Sequence, residues 1–361
     1  MKIGIDARFV GPQGTGLGKY TEKLIISLGK IDNKNQYIIF LGKNNWDYLK
    51  LKNNFKKVLS DIPWYSILEQ IKLPSIFKKQ DLDLLHVTHF NVPIAYHGKF
   101  IVTIHDLIHH QFSESAATTK NPIVFKIKRF AYRKVINHAI NQSAKVLTPS
   151  NFVKNQIIER FNIDPDKIVV TYEAAEEEYF QEVRSYPAPL RLARPGKLEV
   201  RSFLIYVGTA YPHKNLNKLL DAFKILTMNY KLRTMNLIIV CPRDVFSKRL
   251  QDQIDSRQLQ NRVEVVGYLQ ANNLKKLFKE ASAYIFPSLS EGFGIPGLNA
   301  MASGLPVVCS NIPTLKEVYK DAALYFDPQD PHDIAQKIEK VLTDERTKSD
   351  LVTKGREQAK K

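Results

Sequence analysis

Residues 283–309 read AYIFPSLSEGFGIPGLNAMASGLPVVC. An apolar run over 283–287 leads into a glycine-spaced loop, a short helical stretch and a second apolar run over 306–309. That is the pattern of one βαβ unit in a parallel sheet. Pro296 suits the first helical position, where its missing N–H costs nothing, and Gly304 suits the stop before the next strand. The loop presents Glu291 beside Gly292. Backbone N–H groups over Gly294–Gly297, at a helix N-terminus, form a cradle for a diphosphate. Glu291 is placed to bind sugar hydroxyls, and Asn299, about one turn into the helix, points back toward the same pocket.

The alternation extends both ways along the chain. Apolar runs at 2–8, 36–41, 83–87, 100–105 and 144–148 alternate with helical patterns such as 18–30, 122–141 and 151–161. The pattern restarts at 203–207 and continues through 236–240, 262–266, 283–287 and 306–309, with helices such as 215–228, 272–281 and 331–343 between them. The stretch EVRSYPAPLRLARPGKLEV (182–200) has three prolines and no periodicity, which reads as a linker. The chain of 361 residues therefore divides into an N-terminal domain over 1–182, a linker over 183–200 and a C-terminal domain over 201–361. Each domain is an α/β, doubly wound, Rossmann-like sheet, and the two are expected to face each other across a cleft.

Composition excludes several classes. Hydrophobic residues make up 44% and charged residues 25%, ordinary globular values that rule out a disordered tail protein. The net charge of +17 calls for an anionic partner. Residues 1–180 carry 25 basic and 17 acidic side chains, so the charge is shared by both halves. With no recognisable recognition helix or RNA-binding motif, nucleic acid is not the expected partner. Cys241 and Cys309 lie in apolar runs without a CxxC or Cys/His cluster, as buried, reduced thiols do. No run reaches the ~18 apolar residues that span a bilayer, and Lys2, Asp6 and Arg8 stand where a signal peptide would be greasy. The expected location is cytoplasmic, with contact at most to a membrane surface. From Thr118 to Ile140 there are six Lys/Arg and no acid, interleaved with Ile123, Phe125, Ile127 and Phe130. This is either a basic amphipathic helix for an anionic membrane surface or a core-packing helix with a solvated basic face.

Further motifs fall at strand ends. Gly14, Gly16 and Gly18 follow the first strand in GPQGTGLGKY, which is neither a Walker loop nor a dinucleotide fingerprint and serves a ligand or a tight turn equally. His105 closes the run 100–105, either facing the crevice where open sheets bind ligands or bonding a backbone carbonyl. Lys214, in GTAYPHKN after the run 203–207, is placed as a phosphate partner or as a solvated cation.

These segments, taken as IGIDARF with TGLGKY, VTIHDL, TPSNFVKNQI, YVGTAYPHKNL and SEGFGIPGLNAMASGLPVVCSNIP, resemble a family-four retaining glycosyltransferase with the GT-B fold, over nearly the whole chain. Within that family the PHKN and IHDLIHHQF details look most like bacterial O-antigen-type mannosyltransferases. The resemblance implies a hexosyltransferase that takes a nucleotide sugar, with GDP-mannose as the donor, and a glycan or lipid-linked acceptor bound by the N-terminal half. It implies that Lys214 holds the diphosphate, that Glu291 with the Phe293–Gly294 backbone holds the transferred sugar, and that Gly16–Gly18 approach phosphate and acceptor. His105 would bond the donor sugar near its reactive carbon, and Gly267-Tyr268-Leu269 would contact the nucleobase. It further implies same-face attack without a protein nucleophile, and no metal or other cofactor.

Two departures stand out. The family pattern is Glu, seven residues, Glu, and here the second position is Asn299, which offers a ribose one carbonyl oxygen in place of a carboxylate. The Arg common after the glycine of the diphosphate loop is Thr209. These departures motivate an alternative reading, a degenerate family member that binds sugar nucleotide or a partner without turnover. On this sequence alone, restoring the carboxylate with Asn299→Glu is expected to tighten donor binding. The chain also ends at Lys361, where relatives usually continue into a crossing helix, as a truncated or naturally short version would.

Overall fold

Both faces of a parallel sheet must be covered, so its strands are apolar throughout and its polar chemistry gathers at their ends. The computed structural model describes residues 1–11, 15–111, 122–181, 202–228 and 232–361. The expected linker 183–200 lies outside the described residues, as do Gly14 and residues 118–121 of the basic segment. The chain divides into two compact units, one of Met1–Leu107 with Thr118–Thr171 and one holding the remainder. The division falls at 171/172, so residues 172–181 pack with the second unit, where Tyr179 joins the core.

From the N-terminus the elements are β1 (Lys2–Asp6), α1 (Thr15–Ile31), β2 (Gln36–Leu41), β3 (Phe55–Leu59), α2 (Ile67–Lys78), β4 (Leu84–Val87), β5 (Phe100–Thr103), α3 (Ile108–Gln111), α4 (Pro122–Gln142), β6 (Lys145–Thr148), α5 (Asn151–Phe161) and β7 (Ile168–Val170). The strands form one sheet in the order β3-β2-β1-β4-β5-β6-β7, and every pairing is parallel. Alternation along β2 supplies both faces: Ile38 and Phe40 enter one core with Leu85, Val87 and Val102, while Tyr37, Ile39 and Leu41 enter another with Ile5 and Ile25. Local signals agree with this plan. Ser150 caps α5 by accepting the Val153 N–H at 3.3 Å, and Asn162 ends it in a left-handed conformation.

The second unit contains β8 (Phe203–Val207), α6 (Leu216–Met228), β9 (Asn236–Val240), α7 (Val245–Ser256), β10 (Val263–Val266), α8 (Ala271–Glu280), β11 (Ala283–Phe286), α9 (Ile295–Ala302), β12 (Val307–Ser310), α10 (Pro313–Tyr319), β13 (Leu324–Phe326), α11 (Pro331–Thr343) and α12 (Glu345–Ala359). Its sheet runs β10-β9-β8-β11-β12-β13, again parallel throughout. Strand order reverses between β1 and β4 in the first sheet and between β8 and β11 in the second. Those switch points are where open sheets leave a ligand crevice.

Three strands, β3, β7 and β13, are absent from the sequence reading. Each is the edge of its sheet, and each is short or, like FKKVL, lysine-bearing. Edge strands need no continuous apolar run and are often charged. The run 2–8 ends as a strand at Asp6 and the run 100–105 at Thr103, past which the Arg8 side chain pairs with Asp6 and the His105 ring meets the Thr88 carbonyl.

The basic segment is buried toward its C-terminal end and exposed toward its N-terminal end. Val135, Ile136, Ala139 and Ile140 of α4 are buried, whereas Ile127 and Phe130, among Lys126, Lys128 and Arg129, are 64% exposed. No helix among the described residues is long and apolar enough to cross a membrane.

One histidine makes the first unit pH-sensitive. His86, buried on β4, bonds through Nε2 to the Thr103 hydroxyl at 2.8 Å. Burial, with a smaller contribution from His105, pushes its imidazolium from the ordinary 6.5 down to about 4. The unfolded chain therefore binds the proton first. This contribution is complete above pH ~6.5 and is lost as pH falls toward ~4, by about 3 kcal/mol. Denaturant titrations from pH 7 to 4 should show this loss, and His86→Gln, which cannot titrate, should flatten it.

Candidate functional site

The second unit's switch point is built from the loops after β8 and β11. Lys214 closes a short turn, Pro212–Lys214, and its Nζ meets Glu291 Oε1 at 2.6 Å, with side chains only 15% and 10% exposed. Beneath the pair, Nζ lies 5.9 Å from the centre of the Phe286 ring. A nearly buried ion pair loses its hydration and is retained only where its geometry is fixed on both sides. That fixing is visible. Asn215, buried in a left-handed conformation (φ 58°), donates to the carbonyls of Pro287 at 3.1 Å and Pro328 at 2.8 Å. The Leu289 N–H donates to His213 O at 2.8 Å, and the Thr314 hydroxyl to Glu291 O at 2.8 Å.

Three tyrosines brace the same loops from inside the core. Tyr206 donates to Thr209 O at 2.8 Å, Tyr284 to Val207 O at 3.2 Å and Tyr319 to Gly294 O at 2.5 Å. All three are fully buried, and burial holds their phenols well above the usual range, so they act as fixed donors. Gly294, at φ 108°, caps α9, and a Cβ there would run into the Tyr319 hydroxyl and Leu315.

The expected N–H cradle is narrower than the sequence suggests. Ile295 is the first residue of α9, which puts Pro296 at the second position, and the Gly297 N–H donates to Gly294 O at 3.1 Å. The groups left to face an anion are the N–H of Gly294 and Ile295. Phe293 is buried against Tyr172, 6.1 Å between ring centres. Gly267, Tyr268 and Leu269 follow β10, two strands from β8, or roughly 10 Å at the usual strand spacing. Tyr268 is 78% exposed, and the Arg243 side chain lies against Gly267.

Asn299 differs most from its expected role. Its Oδ1 accepts the Glu176 N–H at 2.9 Å, and its Nδ2 lies 3.5 Å from Glu176 Oε1. The carbonyl assigned to a ribose hydroxyl is therefore already holding the segment after β7. No local pattern reveals a partner 123 residues away.

In the first unit, His105 Nε2 is 3.0 Å from Thr88 O, which requires a proton on Nε2 and leaves Nδ1 as acceptor in the neutral ring. The ring is edge-on to Tyr20 at 4.6 Å. Gly16 and Gly18 fall inside the first turn of α1 instead of in the loop. Gly18 is explained by packing, since a Cβ would strike the Phe9 carbonyl, while Gly16 faces open space. Sequence reasoning missed Asn215, Thr314 and Tyr319. Asn215 carries a signal, a helix-preceding Asn directly after Lys214, whereas the other two act from α10 and carry none. The described residues contain no group of three or more His, Cys, Asp or Glu able to hold a metal ion.

Comparison with known proteins fits these two sheets. Residues 51–179 match the family Glycosyltransferase Family 4, and residues 192–358 match Glycosyl transferases group 1, together spanning most of the chain. An O-antigen chain mannosyltransferase of Salmonella typhimurium is 28% identical over 89% of this chain and 85% of its own. The O-antigen chain mannosyltransferase B of Escherichia coli is 33% identical over 63% of this chain and 59% of its own. Among solved structures, sucrose-phosphate synthase from Thermosynechococcus elongatus superposes with a TM-score of 0.77 at 18% identity, covering 100% of this chain and 94% of that one. The chain belongs to the family-four glycosyltransferases, nucleotide-sugar-dependent enzymes of GT-B fold. Within them it resembles the O-antigen mannosyltransferases.

The Asn299 geometry reverses the expected effect of Asn299→Glu. The new carboxylate would stand against Glu176 Oε1, where an amide N–H stood before. Chemical denaturation should show a loss of about 1–3 kcal/mol. Nucleotide affinity should not improve. A tighter donor complex in a fully stable variant would contradict this assignment.

Proposed function

We propose that this enzyme transfers a mannosyl residue from GDP-mannose to a glycan or lipid-linked acceptor in cell-surface polysaccharide assembly, at the cytoplasmic face of the membrane and with retention of configuration. The observation that carries the reading is the Lys214–Glu291 pair at the second switch point, next to the N–H groups that open α9. The names of the two O-antigen relatives support the sugar and the pathway type.

In this reading the diphosphate displaces Glu291 from Lys214. The ammonium and the Gly294 and Ile295 N–H groups then face the charge that grows on the leaving group, a preorganised stabilisation that needs no metal. The freed Glu291 carboxylate accepts hydroxyl hydrogen bonds from the sugar, and the strand-end loop at Gly267–Leu269 receives the base. The family resemblance further assigns His105 to the donor sugar. The anomeric C–O bond to phosphate breaks as the acceptor oxygen bonds the same face of that carbon, and the departing phosphate oxygen takes the acceptor's proton. The protein positions and stabilises.

The exposed Ile127 and Phe130, among the cations of α4, support docking on an anionic membrane surface, where a lipid-linked acceptor would be found. Vesicle co-sedimentation should require anionic lipid and weaken as salt shortens the screening length from ~10 Å at 0.1 M to ~3 Å at 1 M. Replacing Lys126, Lys128, Arg129 and Arg133 by Gln should abolish it, and unchanged binding would make α4 simply a core helix.

A thermal-shift panel with GDP, UDP and ADP tests the donor. GDP at ~100 times its Kd should add about 2.7 kcal/mol of stability, with the others adding less. Glu291→Ala should abolish transfer from GDP-mannose in a folded protein, and EDTA should leave wild-type transfer unchanged. Turnover in Glu291→Ala, or activity lost with EDTA and restored by Mn²⁺, would overturn the reading.

A further inference from the structure

The first sheet has its own switch point, between β1 and β4, and its strand ends carry groups that the donor reading leaves unused. Arg8, just past β1, is sealed from water. Its Nε and Nη2 donate to Asp6 at 2.9 and 2.8 Å, Nη2 also meets Glu69 Oε1 at 2.6 Å, and Nη1 donates to Ile62 O at 3.1 Å. Glu69 in turn accepts the Tyr65 N–H at 2.8 Å and an N–H of the Asn91 amide. Tyr65 has φ 55°, a left-handed conformation that a bulky side chain avoids and that persists only where its surroundings impose it. Here a carboxylate clamped by a buried guanidinium imposes it.

The consequence is a wall of rings. Trp64 stacks on the buried Phe9 at 4.3 Å and 25°. Tyr65 lies near-parallel to Phe90 at 6.0 Å and 26°, and Phe90 meets Tyr132 edge-on at 4.8 Å. Trp64 and Phe90 are half-buried and rigidly backed, while Tyr65 is 56% exposed. At the rim, burial and then the Glu69 and Asp106 carboxylates raise the Tyr65 phenol well above its usual range, and burial with Asp106 does the same to Tyr132. Two phenols thus stand beside apolar ring faces. A lipid tail has no use for phenol hydroxyls. A pyranose ring uses both, with its C–H face against an aromatic ring and its hydroxyls on polar acceptors.

We propose that Trp64, Tyr65, Phe90 and Tyr132 form a stacking subsite for one pyranose ring of the acceptor glycan, with Arg8 and Glu69 as positioning residues behind Tyr65. The proposal rests on the reading that the acceptor carries a glycan.

The test uses the full chain, with methyl α-D-mannopyranoside and an α-linked mannotriose as probes in saturation-transfer NMR. The ring C–H protons should receive saturation from the wild type. Tyr65→Ala should weaken binding about two- to tenfold, the range set by one aromatic contact. Tyr65→Phe should retain most of the binding. GDP affinity should stay unchanged in both, and thermal melting verifies folding. If Tyr65→Ala does not fold, Trp64→Ala carries the test with the same expected loss. The proposal is overturned if the wild type binds neither probe or if these variants bind as well as the wild type. It is also overturned if Tyr65→Ala instead removes binding to phosphatidylcholine vesicles, which would assign the wall to a membrane. A protein that binds the mannosides but no nucleoside diphosphate would overturn the donor reading and leave this one standing.

Discussion

A parallel strand covered on both faces admits a polar side chain along its length only where a partner satisfies it, as Thr103 does for His86, so a protein built from two such sheets gathers its chemistry where the strands stop. Both sheets here follow that constraint. β8, β9 and β11 are almost wholly buried, and the loops that follow β8 and β11 carry Gly208, Lys214 and Asn215 in one case and Glu291 and Gly292 in the other. In the first sheet β1 ends at Asp6 and gives way to Arg8, and β4 gives way to Thr88, His89 and Phe90. Because strand order reverses at β1/β4 and at β8/β11, the diverging loops leave room for a ligand at those same points.

The two ends are stabilised differently. In the second unit the charged pair is small and the loops around it are tied by neutral donors, namely Asn215, Thr314 and three buried tyrosines, each bonded to a backbone carbonyl. Neutral donors fix the loops without adding charge that would compete with an incoming anion. In the first unit the loops are tied by charge itself, through Asp6, Arg8 and Glu69, and the outer layer is aromatic. A buried guanidinium with two carboxylates is costly to open, so this arrangement favours one rigid shape over adaptability. The contrast suits a diphosphate at one sheet and an uncharged sugar surface at the other.

Much of this was legible in the sequence because the relevant physics is local. The runs FLIYV and NLIIV read as buried strands at their observed bounds, and the helix over 151–161 likewise reads at its own. Strand-end position singled out Lys214 and Glu291, the family resemblance gave them their expected roles, and nothing local says that the two, 77 residues apart, touch. What escaped depends on distant partners or on weak composition. The edge strand FKKVL is interrupted by two lysines, and LYF is only three residues long. Asn299 was assigned to a ligand because one helical turn predicts where a side chain points but not what meets it, and Glu176 meets it first. Gly18, left open between a ligand loop and a tight turn, has a packing reason that no local pattern shows, since a Cβ there would strike the carbonyl of Phe9.

The central claim is that Lys214 exchanges Glu291 for a diphosphate. It is tested most directly by determining the structure with GDP bound. The account predicts that Lys214 Nζ leaves Glu291 Oε1, 2.6 Å away in the free protein, for a phosphate oxygen, with the Gly294 and Ile295 N–H groups directed at the same diphosphate. GDP bound elsewhere, with the Lys214–Glu291 pair intact, would contradict it.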